Sequence, residues 1–106
     1  MQEPTFLILT ALAAEPLHGY GVIRAVEQLS QDEVVLGPGT LYRALDRLAD
    51  QGLIEVDREE AVDGRLRRYY RLTDSGAAAL VAQAQRLRRH ADAAMSRVRP
   101  ALGGAQ

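Results

Sequence analysis

One Asp-Gly pair stands between a stretch that alternates apolar and polar residues and a stretch rich in arginine and tyrosine, and that arrangement points to a β-hairpin. In the first arm, Leu53 to Arg58, Ile54 and Val56 fall on one side of an extended strand and Glu55 and Asp57 on the other. Residues 59–64 read as the turn, closed by Asp63-Gly64, two residues that readily take the positive φ angles a tight hairpin needs. The return arm is Arg65-Leu66-Arg67-Arg68-Tyr69-Tyr70-Arg71-Leu72. One face carries Leu66, Arg68, Tyr70 and Leu72; the other carries Arg65, Arg67, Tyr69 and Arg71, basic and aromatic throughout.

The stretch just before the hairpin has a helical period. Gly37 and Pro38 break what precedes them, and Gly39 or Thr40 is expected to cap a new helix over 38–51. Leu41, Ala44, Leu45 and Leu48 recur at the spacing of one helical face, while Tyr42, Arg43, Asp46, Arg47 and Asp50 occupy the other. Gly52 supplies the stop. A helix N-terminus with a tyrosine and two arginines beside it suits phosphate, because free N–H groups and the helix dipole both point there. An ordinary surface helix has the same pattern, and charged strands also guard sheet edges. Arg and Tyr on both elements together favour one phosphate-binding surface.

The other elements are helical too. Pro4 to Ala14 is apolar nearly all round, which predicts contact on two sides, and Pro16 ends it. Leu17-His18-Gly19-Tyr20-Gly21 turns into a second helix reaching about Leu29, with Val22, Ile23, Val26 and Leu29 inward. His18 reads as a packing or capping residue. Val34-Val35-Leu36 is expected to form a very short strand or extended piece. Thr73-Asp74 caps a last helix from Asp74 to Arg99, about 39 Å long. Its Leu80, Ala84, Leu87, Ala91, Ala94 and Val98 repeat in steps of four and three, a heptad-like seam. A domain of this size is roughly 25 Å across, so the distal half wants a partner, with the first helix of the same or another copy completing the interface. Pro100 is expected to end the helix and leave 100–106 disordered.

At 106 residues and 47% hydrophobic content the chain is one small domain. It has no cysteine, hence no disulfide, thiolate metal site or thiol nucleophile. Two isolated histidines, with no paired carboxylates and no Gly-rich phosphate fingerprint, leave nothing to run enzymatic chemistry or hold a metal. The apolar run Phe6 to Leu12 lacks a basic flank and is far too short to span a bilayer, so a cytoplasmic protein without membrane, metal or cofactor is expected. The net charge of −1 hides an asymmetry. Arg24 stands alone against five acids before Gly37, whereas 65–71 hold four arginines and no acid. All basic side chains are arginine, the residue suited to bidentate contacts with phosphate or guanine.

Helix, helix, exposed helix, basic hairpin and long helix, in that order, make a winged helix-turn-helix with a C-terminal dimerisation helix, mainly α with a small hairpin (α+β). Three motifs sharpen the match: Leu17-His18-Gly19-Tyr20; Pro38-Gly39-Thr40-Leu41-Tyr42 followed by Gly52-Leu53-Ile54; and Gly64-Arg65 through Arg68-Tyr69-Tyr70-Arg71-Leu72-Thr73, closing on Gly76. Over about residues 5 to 95 the chain resembles the PadR family of bacterial transcriptional regulators, in particular its short form, which dimerises through a single C-terminal helix. The resemblance implies a DNA-binding repressor, released in some members by a small effector such as a phenolic acid or hydrophobic drug. It implies domains at 1–73 and 74–99. Thr40 and Tyr42 fall at the start of the recognition helix in the major groove, and Arg65, Arg67 and Arg68 on the wing. Arg43 stands where the family often has proline and adds a guanine or phosphate contact; Arg47 lies further along the same helix. Phe6, Leu80, Leu87, Ala91, Met95 and Val98 are the expected dimerisation residues. The last helix has no tryptophan, so the aromatic drug-stacking arrangement of some short members is absent.

The expected mechanism is two copies docking their 38–51 helices in successive major grooves of a pseudo-palindrome, about 34 Å apart. A second class stays open at this point: a winged-helix protein–protein adaptor that meets an acidic partner with the basic hairpin.

Overall fold

A computed structural model describes the backbone of residues 1–103 and the side chains of residues 1–99. The elements are α1 (Glu3–Ala14), β1 (Leu17–His18), α2 (Gly19–Leu29), α3 (Pro38–Asp50), β2 (Ile54–Val62), β3 (Arg65–Leu72) and α4 (Asp74–Gly103).

Three helices supply the core, each from one face. Ile8, Leu9 and Leu12 of α1, Val22 and Val26 of α2, and Leu41, Ala44, Leu45 and Leu48 of α3 are all buried, joined by Leu36, Ile54 and Tyr70. On α3 these are the four residues that the period places inward. Each fully buried leucine there contributes about 1.5–3 kcal/mol. The helix starts three residues earlier than a Thr40 cap requires: Gly37 is the N-cap without a side-chain bond and Pro38 is the first helical residue. Proline fits there because its missing N–H would have no partner in the first turn. At the other end Gly52, with φ of +76°, carries the chain out of the helix. The Gly52 N–H donates to Ala49 and the Leu53 N–H to Leu48, both at 3.0 Å, closing the last carbonyls.

The sheet has three antiparallel strands in the order β1-β3-β2. Leu17 and His18, expected in a turn, instead pair with Tyr70 and Tyr69. Pro16 forces the residue before it toward extended geometry, and Glu15 adopts it (φ −170°, ψ 159°), so the chain leaves α1 ready to pair. The hairpin turn is shorter than expected. Only Asp63 and Gly64 lie outside the strands, both at positive φ, and Glu59 to Val62 belong to β2. A bulge at Asp57 interrupts the register between Val56 and Arg58. It ends the simple alternation of the first arm and brings Arg58 opposite Tyr69.

Three further expectations need correction. Of the two forms expected for Val34-Val35-Leu36, a short strand or an extended piece, the strand does not form; the Ser30 hydroxyl accepts the Val34 N–H at 2.9 Å, and Leu36 is buried by the core without pairing. Leu29 is 48% exposed rather than inward, because it sits at the last position of α2, beyond the reach of the core. And α4 continues past Pro100 to Gly103; proline's φ lies in the helical range, so a helix can run through it at the cost of a hydrogen bond and crowding of the preceding turn. Residues 104–106, the rest of the tail expected to be disordered, lie outside the described residues.

The start of α4 is clamped to the end of α3. The Thr73 hydroxyl accepts the Gly76 N–H at 3.0 Å, capping α4, and donates to the Gly52 carbonyl at 2.6 Å. The Thr73 N–H donates to the Leu53 carbonyl at 3.1 Å. Gly76 packs so tightly there that a methyl group would collide with the Leu53 carbonyl oxygen.

Candidate nucleic-acid interface

Beyond its base the hairpin leaves the core. Ile54, Tyr70 and Leu72 anchor it, while Leu66 near the tip is 67% exposed. Between this projecting hairpin and the N-terminal half of α3 runs an open groove of about 760 Å³. Tyr42 and Asp46 line it from α3, His18, Gly19 and Tyr20 from the start of α2, and Arg65, Arg67 and Arg68 from β3. Thr40 and Arg43 are exposed on α3, and Arg43 folds back toward Gly39 at the first turn. Arg47 points elsewhere: its guanidinium reaches the Thr5 hydroxyl of α1 at 3.5 Å, outside the groove.

The basic strand is less bare than its own composition suggests. Register places Glu59 opposite Arg68, and they form an ion pair at 3.0 Å. Arg71 pairs with Glu55 at 2.7 Å and approaches Asp57 at 3.7 Å. Arg58 lies 3.9 Å above the Tyr69 ring and binds Asp57 and Glu60. That hydrogen bond from Arg58 holds the Glu60 carboxyl below the usual carboxylate range. Residues 54–72 hold five arginines and five acids. Among the described residues only Arg65 and Arg67 of those arginines have no ion-pair partner within 4 Å, and both border the groove.

His18 organises the groove's inner edge. Its Nδ1 accepts the Gly21 N–H at 3.2 Å, capping α2, and its ring meets Tyr69 edge-on with centroids 5.3 Å apart. Capping agrees with the sequence reading; the Tyr69 contact depends on β1, which that reading did not contain. Burial first, and then the Arg67 charge, lower the His18 pKa, with Glu60 opposing them. Tyr20 is a second groove residue the sequence reading passed over. It is 63% exposed with Arg24 at 5.9 Å from its ring centroid, and its only sequence signal was its place in Leu17-His18-Gly19-Tyr20.

The expected dimerisation residues divide. Leu80 is half-buried against its own domain's core, and Phe6 is half-buried on α1. Leu87, Ala91, Met95 and Val98 are exposed along α4. No helix among the described residues is long and apolar enough to cross a membrane.

An exposed helix beside a projecting three-stranded wing, with a long helix behind, is matched by known proteins. A model of the transcriptional regulator PadR-like family covers residues 8–82. The chain belongs to the PadR family. Its members are transcriptional regulators, not enzymes. A PadR family regulator from Clostridium difficile superimposes with a TM-score of 0.72 at 27% identity, covering 89% of this chain and 95% of that one. Bacillus subtilis PadR, solved in complex with operator DNA, gives 0.67 at 25% identity over 74% of this chain and 45% of that one. Among curated relatives, the Mycobacterium tuberculosis transcriptional regulator Rv3488 is 42% identical over 73 residues, 69% of this chain and 64% of that protein. The Escherichia coli regulator YqjI is 40% identical over 58 residues, 55% of this PadR-family chain and 28% of YqjI. The chain thus spans less than a third of YqjI and under two thirds of Rv3488.

Proposed function

We propose that the chain is a DNA-binding transcriptional regulator that acts as a homodimer on a pseudo-palindromic operator and represses by occupying promoter DNA. The observation that carries this reading is the groove whose opposite walls are the exposed start of α3 and the unpaired Arg65 and Arg67 of the wing. A helix entering the major groove brings Thr40, Tyr42 and Arg43 to base edges and phosphates, and the wing arginines then meet the flanking backbone. Arg68 joins them only by sharing its guanidinium with Glu59, and Arg47, beside Thr5 of α1, lies outside the groove. The operator complex of Bacillus subtilis PadR supports the assignment by analogy of fold. Residues 1–73 form the reading module and 74–99 the dimerisation helix, where Leu87, Ala91, Met95 and Val98 meet the second copy, with Phe6 of α1 at the border. A small hydrophobic or phenolic effector would act by binding one spacing of the two modules better than another.

Binding to the DNA upstream of the chain's own gene, followed by fluorescence anisotropy over a salt series, tests the proposal. Wild-type protein is expected to bind specifically at moderate salt, and Arg67→Ala to reduce the steepness of the log–log salt plot by about one. Wild-type affinity from Arg67→Ala at every salt concentration would remove the wing from the interface.

A further inference from the structure

Gly19 is the first residue of α2 and is buried, with backbone in the ordinary negative-φ region. Nothing in its own conformation therefore calls for glycine, and alanine is the better helix former. What crowds a side chain there is a single neighbour, the far end of Tyr42. A methyl group built on Gly19 would stand 2.5 Å from the Tyr42 hydroxyl oxygen, 2.8 Å from Cζ and 3.1 Å from Cε1. Carbon atoms rest at about 3.5–4.0 Å, so the hydroxyl end of Tyr42 lies close against Gly19. Tyr42 also lines the groove and is 49% exposed.

We infer that Gly19 is a positioning residue for Tyr42: its bare backbone is the floor that holds the phenol at one height and tilt toward DNA, fixing the reading side chain before any duplex arrives. The inference rests on the proposal that Tyr42 meets DNA. A floor of this kind lowers the entropy lost on binding, because the hydroxyl end of the ring is already confined. Alanine at 19 would lift the ring by about 1 Å to restore ordinary contact, enough to misalign a hydroxyl hydrogen bond whose strength falls steeply with geometry.

Two measurements test it. In free wild-type protein, NMR is expected to show the Gly19 Hα signals displaced by the Tyr42 ring current and returned to ordinary positions in Tyr42→Leu. Unshifted Gly19 signals in the wild type would overturn the contact without any reference to DNA. On operator DNA, Gly19→Ala is expected to weaken binding about three- to tenfold with no fall in Tm, and to cost nothing further once Tyr42 is already leucine. An equal loss in both backgrounds would mean that Gly19 acts on its own account, and the inference fails. A Tyr42→Leu protein that binds like wild type would instead sink the reading of Tyr42 as a DNA contact, while the NMR result would still stand.

Discussion

His18 shows how much one side chain can carry. With Nδ1 accepting from Gly21, the ring must be neutral and keep its proton on Nε2. Its pKa is lowered from 6.5 by burial and by Arg67. As pH falls, the unfolded chain therefore takes up this proton before the native one does. The His18 contribution to stability is complete above about pH 6.5 and is lost as pH drops below it. Thermal melts between pH 7.5 and 5 are expected to show a steeper decline for wild type than for His18→Asn, which keeps a capping oxygen but cannot titrate. Parallel profiles would exclude the role. At this scale the sequence was a partial guide. Tyr42, Arg43, Arg65 and Arg67 are exposed as periodicity and alternation predict. The pairing of Arg68 with Glu59 was hidden because taking 59–64 as the turn removed Glu59 from the strand, and that of Arg71 with Glu55 because the longer turn shifts the register. Once Asp63-Gly64 alone is the turn, the register follows by counting, up to the bulge at Asp57.

At the level of elements, the junction between α3 and α4 joins a Gly-terminated helix to a Thr-capped one through shared hydrogen bonds. Gly76 is needed there for space, since any side chain would meet a backbone carbonyl that cannot yield. Gly76→Ala is expected to lower stability by about 1–3 kcal/mol, read as a drop in midpoint on urea unfolding; an unchanged midpoint would show that the junction relaxes freely. Thr73 as the cap was visible in the sequence, and so was Gly52 as the stop. Their meeting was not, because it depends on the tertiary path of the hairpin that separates them. The same limit explains β1: two residues have no periodicity to read, and they become a strand only where β3 is available to pair.

Taken whole, the molecule is elongated, 66 × 27 × 20 Å, with a radius of gyration of 17.1 Å where a compact chain of this length has about 13 Å. The difference comes from α4, a rod of 30 residues and about 45 Å. From Ala84 to Arg99 every one of its residues is exposed. Leu87, Met95 and Val98 lie along this stretch at 41%, 61% and 46% exposure, apolar surface that a second copy would cover. A Leu87→Arg, Val98→Arg double variant is expected to sediment as a monomer of about half the wild-type mass, and to lose at least tenfold in affinity for a two-half-site operator as bivalence is lost. A wild-type chain that sediments at 11.6 kDa at micromolar concentration would defeat the dimer proposal. Thr73 and its neighbours give such a dimer the mechanics of a caliper. If the proposed dimer crosses its handles, a few degrees of rotation there would be delivered through this junction as a change in the gap between the jaws. A ligand wedged at that crossing would be felt at the operator without either jaw having to deform.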